Sequence, residues 1–73
     1  MLLTKNEQQI LQLLIQNAGE VVAREDLMNA LWQSDTFIDD NTLTVNVNRL
    51  RKKLNALGLS GFLTTRRGLG YQL

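Results

Sequence analysis

Residues 42–54 read TLTVNVNRLRKKL, and how this stretch is assigned decides the fold. From Thr42 to Val47 polar and apolar residues alternate, the period-two signature of a half-buried strand. The alternation fails at Asn48 and Arg49, which are adjacent and both polar. A helical period survives. Leu43, Val47, Leu50 and Leu54 fall at i, i+4, i+7 and i+11 and form a continuous apolar stripe. Asp39, Asp40, Asn41 and Thr42 supply side-chain acceptors for a helix start. Length and the paired aspartates therefore favour a helix. Val45 lies off the stripe, with neighbouring elements expected to cover part of it. The β-branched residues at 42, 44, 45 and 47 lower intrinsic helicity, so tertiary packing must hold the segment helical. The opposite face carries Asn41, Thr44, Asn48 and Lys52, flanked by Arg49 and Arg51.

Upstream, Thr4-Lys5-Asn6-Glu7 is a capping box, in which hydroxyl and carboxylate each accept from the other's backbone N–H. Ile10, Leu11, Leu13, Leu14 and Ile15 follow, too broad an apolar surface for one stripe. Asn17-Ala18-Gly19 ends this first helix, with Gly19 as a left-handed cap. Glu20-Val21-Val22 is a candidate short strand. Arg24 to Trp32 reads as a second helix with Leu27, Met28, Leu31 and Trp32 in the core. Ala23 stands where a hydroxyl cap is expected, a weakness of about 1 kcal/mol. Gln33 to Asp39 reads as a loop with Phe37 and Ile38 tucked inward, and Asn55 to Gly61 as another. Residues 62–73, FLTTRRGLGYQL, read as a hairpin with Arg67 at its tip.

The chain has 73 residues, 44% of them hydrophobic, which suits one small folded domain rather than disorder. It has neither Cys nor His. Disulfides, most zinc sites and His-dependent nucleophile arrangements are thereby excluded. No cofactor, no metal site and no enzymatic activity are expected. No apolar run reaches membrane-spanning length and no signal-peptide pattern is present, so no membrane association and a cytoplasmic location are expected. The net charge of +1 is uninformative, but its distribution is not. Residues 1–40 hold two basic and seven acidic side chains, whereas residues 41–73 hold six basic and no acidic ones. This asymmetry points to a polyanion facing the C-terminal half.

Helix, short strand, helix, loop, helix, hairpin is a helix-turn-helix layout with a basic hairpin appended, an α+β winged helix over residues 1–73. NTLTVNVNRLRKKL and TTRRGLGYQL resemble the recognition helix and wing of the C-terminal output domain of OmpR/PhoB-type response regulators. LTKNEQQILQLL and VVAREDLMNALW resemble its first two helices. The stretch SDTFIDDNTLTVNVNRLRKKL is most similar to regulators of cell-envelope and antimicrobial-peptide responses. Two departures stand out. The family usually has Ser where Ala23 stands. Its members also carry a receiver domain and a four-stranded sheet ahead of the first helix, both missing here. The resemblance therefore implies an exposed apolar patch around Leu3, Ile10, Leu11 and Ile15, or its burial by a second copy.

The implied function is sequence-specific binding of double-stranded DNA by the output domain of a bacterial two-component regulator of transcription. Thr44, Asn48 and Arg49 are the base-edge candidates in the major groove. Asn41, Thr42, Asn46, Arg51, Lys52, Thr65, Arg66 and Tyr71 are the phosphate-contact candidates. The resemblance places Arg67 of the wing in the adjacent minor groove. It also implies paired copies on direct-repeat half-sites, a homodimer on DNA, and a contact with RNA polymerase through the loop holding Asp35 and Phe37. The competing reading is a winged-helix protein-interaction or dimerisation module using the apolar face of the first helix.

Overall fold

The computed structural model describes residues 2–33 and 39–73. Helix α1 (Lys5–Gln16) begins with the expected capping box. Thr4 Oγ1 accepts from the Glu7 amide at 3.2 Å, and Glu7 Oε1 accepts from the Thr4 amide at 2.7 Å. A two-residue strand β1 (Val22–Ala23) leads directly into α2 (Arg24–Trp32). Ala23 provides no side-chain cap, as expected from its lack of a polar group. Helix α3 (Asp40–Ala56) starts at Asp39, whose carboxylate accepts from the Thr42 amide at 2.7 Å. The hairpin strands are β2 (Thr64–Arg66) and β3 (Gly70–Gln72).

Residues 42–54 are helical throughout. Leu43, Val47, Leu50 and Leu54 are all buried, packed among Ile10 and Leu14 of α1 and Leu27 and Leu31 of α2. Four β-branched residues cost this helix roughly 2 kcal/mol in propensity. Burying four apolar side chains contributes about 6–12 kcal/mol, so packing decides the conformation. The helix runs two residues further than the loop reading of 55–61 implied. It closes in a Schellman motif, with Leu59 N–H donating to the Leu54 carbonyl at 2.9 Å and Gly58 N–H to that of Asn55 at 3.0 Å.

Three other expectations are corrected or bounded. Trp32 is 54% exposed rather than in the core. Leu27 and Leu31, four apart, fill the inner line of α2, and a residue one further along is turned about 100° away. The expected patch on α1 is also smaller. Ile10 is buried, Leu3 and Leu11 are half-buried against the core, and Ile15 alone of the four is exposed. Ile10 and Leu14 share the face that meets α2 and α3, and Ile15 is rotated off it. The placement of Phe37 and Ile38 lies outside the described residues.

The strands form one antiparallel sheet in the order β1-β3-β2. Val22 pairs with Tyr71 and Ala23 with Gly70, while Arg66 also faces Gly70. The sequence predicts a hairpin and a short strand at Glu20–Val22; the strand lies instead at Val22–Ala23, and its pairing with β3 joins the wing to the helical core. At Gly70, φ is 153° and a Cβ would strike the Val22 carbonyl. Both the conformation and the close approach require glycine.

Glu7 is fully buried, and its Oε1 also accepts from Lys53 Nζ at 2.6 Å. Lys53 Nζ donates to the Leu2 carbonyl at 3.1 Å as well. Burial pushes the Glu7 carboxyl upward, but the hydrogen bonds from Lys53 and Thr4 outweigh it and hold the pKa below its ordinary value. A depressed carboxylate stabilises the fold above the ordinary range, and that contribution is lost as pH falls through the folded-state pKa.

Two outcomes follow. Gly70→Ala should destabilise the chain by about 2 kcal/mol or more, read as a lowered melting temperature in thermal denaturation. Lys53→Met should cost about 2 kcal/mol at neutral pH, less than for a fully enclosed pair because Lys53 keeps some solvent contact. The Lys53→Met deficit should shrink in denaturant titrations at acid pH, where Glu7 is protonated in both proteins.

Candidate nucleic-acid interface

The face of α3 opposite its buried stripe presents Asn41, Thr42, Val45, Asn48, Arg49 and Lys52, all exposed. Positions 41, 45, 48 and 52 continue one line along about three turns, the length an α-helix can lay in a major groove. Val45, set apart in the sequence as off-stripe, is 45% exposed on this line, an apolar surface among polar ones. Its neighbours cover only part of it. Its position off the apolar stripe was the sequence signal that it belongs to the outer face.

Folding distributes the basic cluster of residues 49–53 among different tasks. Lys53 turns back to Glu7. Arg51 is half-buried, and its guanidinium donates to the Thr65 hydroxyl, placing β2 beside α3. Arg49 and Lys52 remain exposed, with no hydrogen bond or ion pair among the described residues.

In the wing, Leu69 N–H returns to the Arg66 carbonyl at 2.9 Å and closes a turn around Arg67 and Gly68. Arg67 is exposed at that tip. Thr65 and Arg66 are exposed on the strand leading to it. Arg66 Nε donates to Gln72 Oε1 at 2.7 Å, and Gln72 Nε2 donates to the Gly19 carbonyl at 2.7 Å. The outer strand is thus tied through Gln72 to the turn after α1.

Three candidates are placed differently from the surface position their roles require. Asn46 is buried, with its side-chain amide donating to the Thr42 carbonyl at 2.9 Å. It sits next to Val47 on the inner side of α3, so it stands apart from the exposed line. Tyr71 is buried on the central strand, and its hydroxyl accepts from Arg24 Nη1 at 2.6 Å. Thr44 is half-buried; its hydroxyl donates to the Asp40 carbonyl at 3.1 Å and accepts from Arg24 Nη2 at 2.9 Å. The remaining candidates lie on the helix face, on the wing or, for Arg51, between them.

The start of α3 is closed by its own chain. The Thr42 amide holds the Asp39 carboxyl below its ordinary pKa, so a carboxylate occupies that N–H. Asp40 is drawn toward Arg24, with Oδ1 3.4 Å from Nε. Arg24 figures in the sequence only as the first residue of the second helix, and no local pattern marks its contacts, because its partners lie 16 to 47 residues away. Asp35 and Phe37 lie outside the described residues. Among the described residues no group of acidic side chains could hold a metal ion, and no helix is long and apolar enough to cross a membrane.

Comparison with known proteins agrees with this fold. Residues 1–73 match the family described as transcriptional regulatory protein, C terminal. The sensory transduction protein BceR of Bacillus subtilis is 55% identical over 69 residues, 94% of this chain and 30% of the relative. The response regulator protein GraR of Staphylococcus aureus is 48% identical over 69 residues, 94% of this chain and 31% of the relative. The chain therefore spans about a third of the length of these curated relatives. The C-terminal domain of the nisin resistance regulator NsrR, a lantibiotic response regulator, superposes with a TM-score of 0.88 at 44% identity, covering all of this chain and 74% of that one. The DNA-binding domain of the response regulator AdeR, solved in complex with an intercistronic region, gives 0.86 at 36% identity, covering all of this chain and 75% of that one. This chain belongs to the OmpR/PhoB-type family of C-terminal, winged-helix DNA-binding domains of transcriptional regulators.

Proposed function

We propose that the chain reads double-stranded DNA in a sequence-specific way, with α3 in the major groove and Arg67 of the wing in the adjacent minor groove. The observation that carries this reading is the exposed line of Asn41, Val45, Asn48, Arg49 and Lys52 beside a wing whose tip is Arg67. The Arg51–Thr65 hydrogen bond links the two parts. Asn48 suits adenine, Arg49 suits guanine, and Val45 suits a thymine methyl group. Arg51, Lys52, Arg66 and the hydroxyls of Thr42 and Thr65 suit phosphates, which hold register without reading bases. Thr44 is half-buried with its hydroxyl already engaged, so its methyl group would be the part left for a base.

The chain would serve as the output domain of a two-component response regulator. Two copies on direct-repeat half-sites would give the specificity that one small module lacks. Relatives named for nisin resistance and sensory transduction support a role in the response to antimicrobial peptides at the cell envelope. RNA polymerase is the proposed partner of residues 33–39, between α2 and α3.

Binding to an A·T-rich duplex, followed by fluorescence anisotropy over a salt series, tests the reading. Affinity should fall steeply with salt as phosphate counterions are released. Lys52→Ala should weaken all duplexes alike and reduce the log–log salt slope by about 0.9. Arg49→Ala should cost about 1–3 kcal/mol on the preferred sequence and relax the choice of base. Arg67→Ala should lose most on duplexes with a narrow minor groove. A folded chain that binds no duplex at low salt would overturn the proposal.

A further inference from the structure

We infer that Arg24 is the positioning residue that sets the recognition helix relative to the wing, without touching DNA itself. The inference rests on the proposed reading of α3 and the wing as the two DNA-contacting parts. Arg24 opens α2, yet its guanidinium joins three elements. Nη1 donates to the Tyr71 hydroxyl in the middle of β3 at 2.6 Å. Nη2 donates to the Asp40 carbonyl at 2.8 Å and to Thr44 Oγ1 at 2.9 Å, both in the first two turns of α3. Nε faces the Asp40 carboxylate at 3.4 Å.

These contacts differ in weight. The Asp40 carboxylate is largely exposed and 3.4 Å away, so that ion pair contributes little. The bonds to a buried tyrosine, a backbone carbonyl and a half-buried hydroxyl are shorter and better shielded. They need a planar group with several donors in fixed directions, which arginine has and lysine lacks. Tyr71 lies on β3, the strand paired with β2, so whatever fixes Tyr71 fixes the base of the wing. Asp40 and Thr44 in turn fix where the recognition helix begins. The two DNA-reading parts therefore share one fastening. It is distinct from the Arg51–Thr65 bond, which joins α3 and β2 directly. Reading two grooves at once requires both parts to be in register before contact, because ordering them on binding subtracts from affinity.

The test uses a duplex selected from a random-sequence pool by the unsubstituted chain. Folding of each variant is checked by circular dichroism. Arg24→Gln should lower affinity about tenfold, the scale of coupling between residues in one hydrogen-bond network. Its log–log salt slope should stay that of the unsubstituted chain. Arg24→Lys, which keeps the charge but not the planar group, should not restore affinity. In Arg24→Gln the penalty of Arg67→Ala should shrink, because a wing out of register gains less from its arginine. Tyr71→Phe, which removes one oxygen, should show a smaller loss of the same kind and keeps the test open if Arg24→Gln does not fold. An unchanged affinity in folded Arg24→Gln and Tyr71→Phe would overturn the inference. A slope lowered by about 0.9 would also overturn it by making Arg24 a phosphate contact. So would an undiminished Arg67→Ala penalty, which would leave Arg24 only a role in stability. If the unsubstituted chain selects no duplex, the DNA-binding reading itself fails, and that outcome is separate from all of these.

Discussion

The architecture depends on the burial of one line of side chains, Leu43, Val47, Leu50 and Leu54, against α1 and α2. The residues between them would suit a strand. Once the line is buried, the period of the α-helix turns Asn41, Val45, Asn48 and Lys52 to the opposite side. The exposed face proposed to read DNA therefore follows from the core. A change that weakened the packing of α3 would remove the interface as well as the stability.

Charge is divided with the same economy. A cluster that looks uniform along the chain serves three purposes in space. Lys53 neutralises a carboxylate buried between α1 and α3, Arg51 joins α3 to β2, and Arg49 and Lys52 remain on the outer face. Two of the acidic residues are turned away from the outer face of α3. Glu7 faces inward, and Asp39 is turned onto the backbone of its own helix. Asp40, the first residue of α3, is exposed but lies beside a cation, Arg24. The result is a basic helix face and wing on a chain with almost no net charge, which concentrates attraction for a polyanion on one side of the molecule.

The wing is held by short-range fit more than by area. Each of its strands has only three residues, too few to be stable alone. β3 gains from β1 on its other edge, where Gly70 lets the two backbones meet closely. Tyr71 and Leu63 bury the base of the hairpin in the core. The tip, with Arg66 to Leu69, stays in solvent. A firmly seated base with an exposed tip fits the proposed reach of Arg67 into a neighbouring groove.

Local sequence determined a good deal here. The capping box at Thr4 and Glu7, the apolar stripe of residues 43–54, the hairpin with its glycines, and the separation of acidic from basic halves are all short-range or compositional patterns. They gave the helices, the order of elements and the fold class, and pointed to a polyanionic partner. Only the tertiary structure decided which polar groups remain free. Asn46 looks like a surface group by type but is buried, Tyr71 suits either the core or an interface and is buried, and Trp32 looks like a core residue but is mostly exposed. Arg24 acquires its role from Asp40, Thr44 and Tyr71, which lie far along the chain. The physical reason is that helical and strand periods are set by neighbours a few residues apart. The partner of a long polar side chain is set by which elements the packed core brings within its reach.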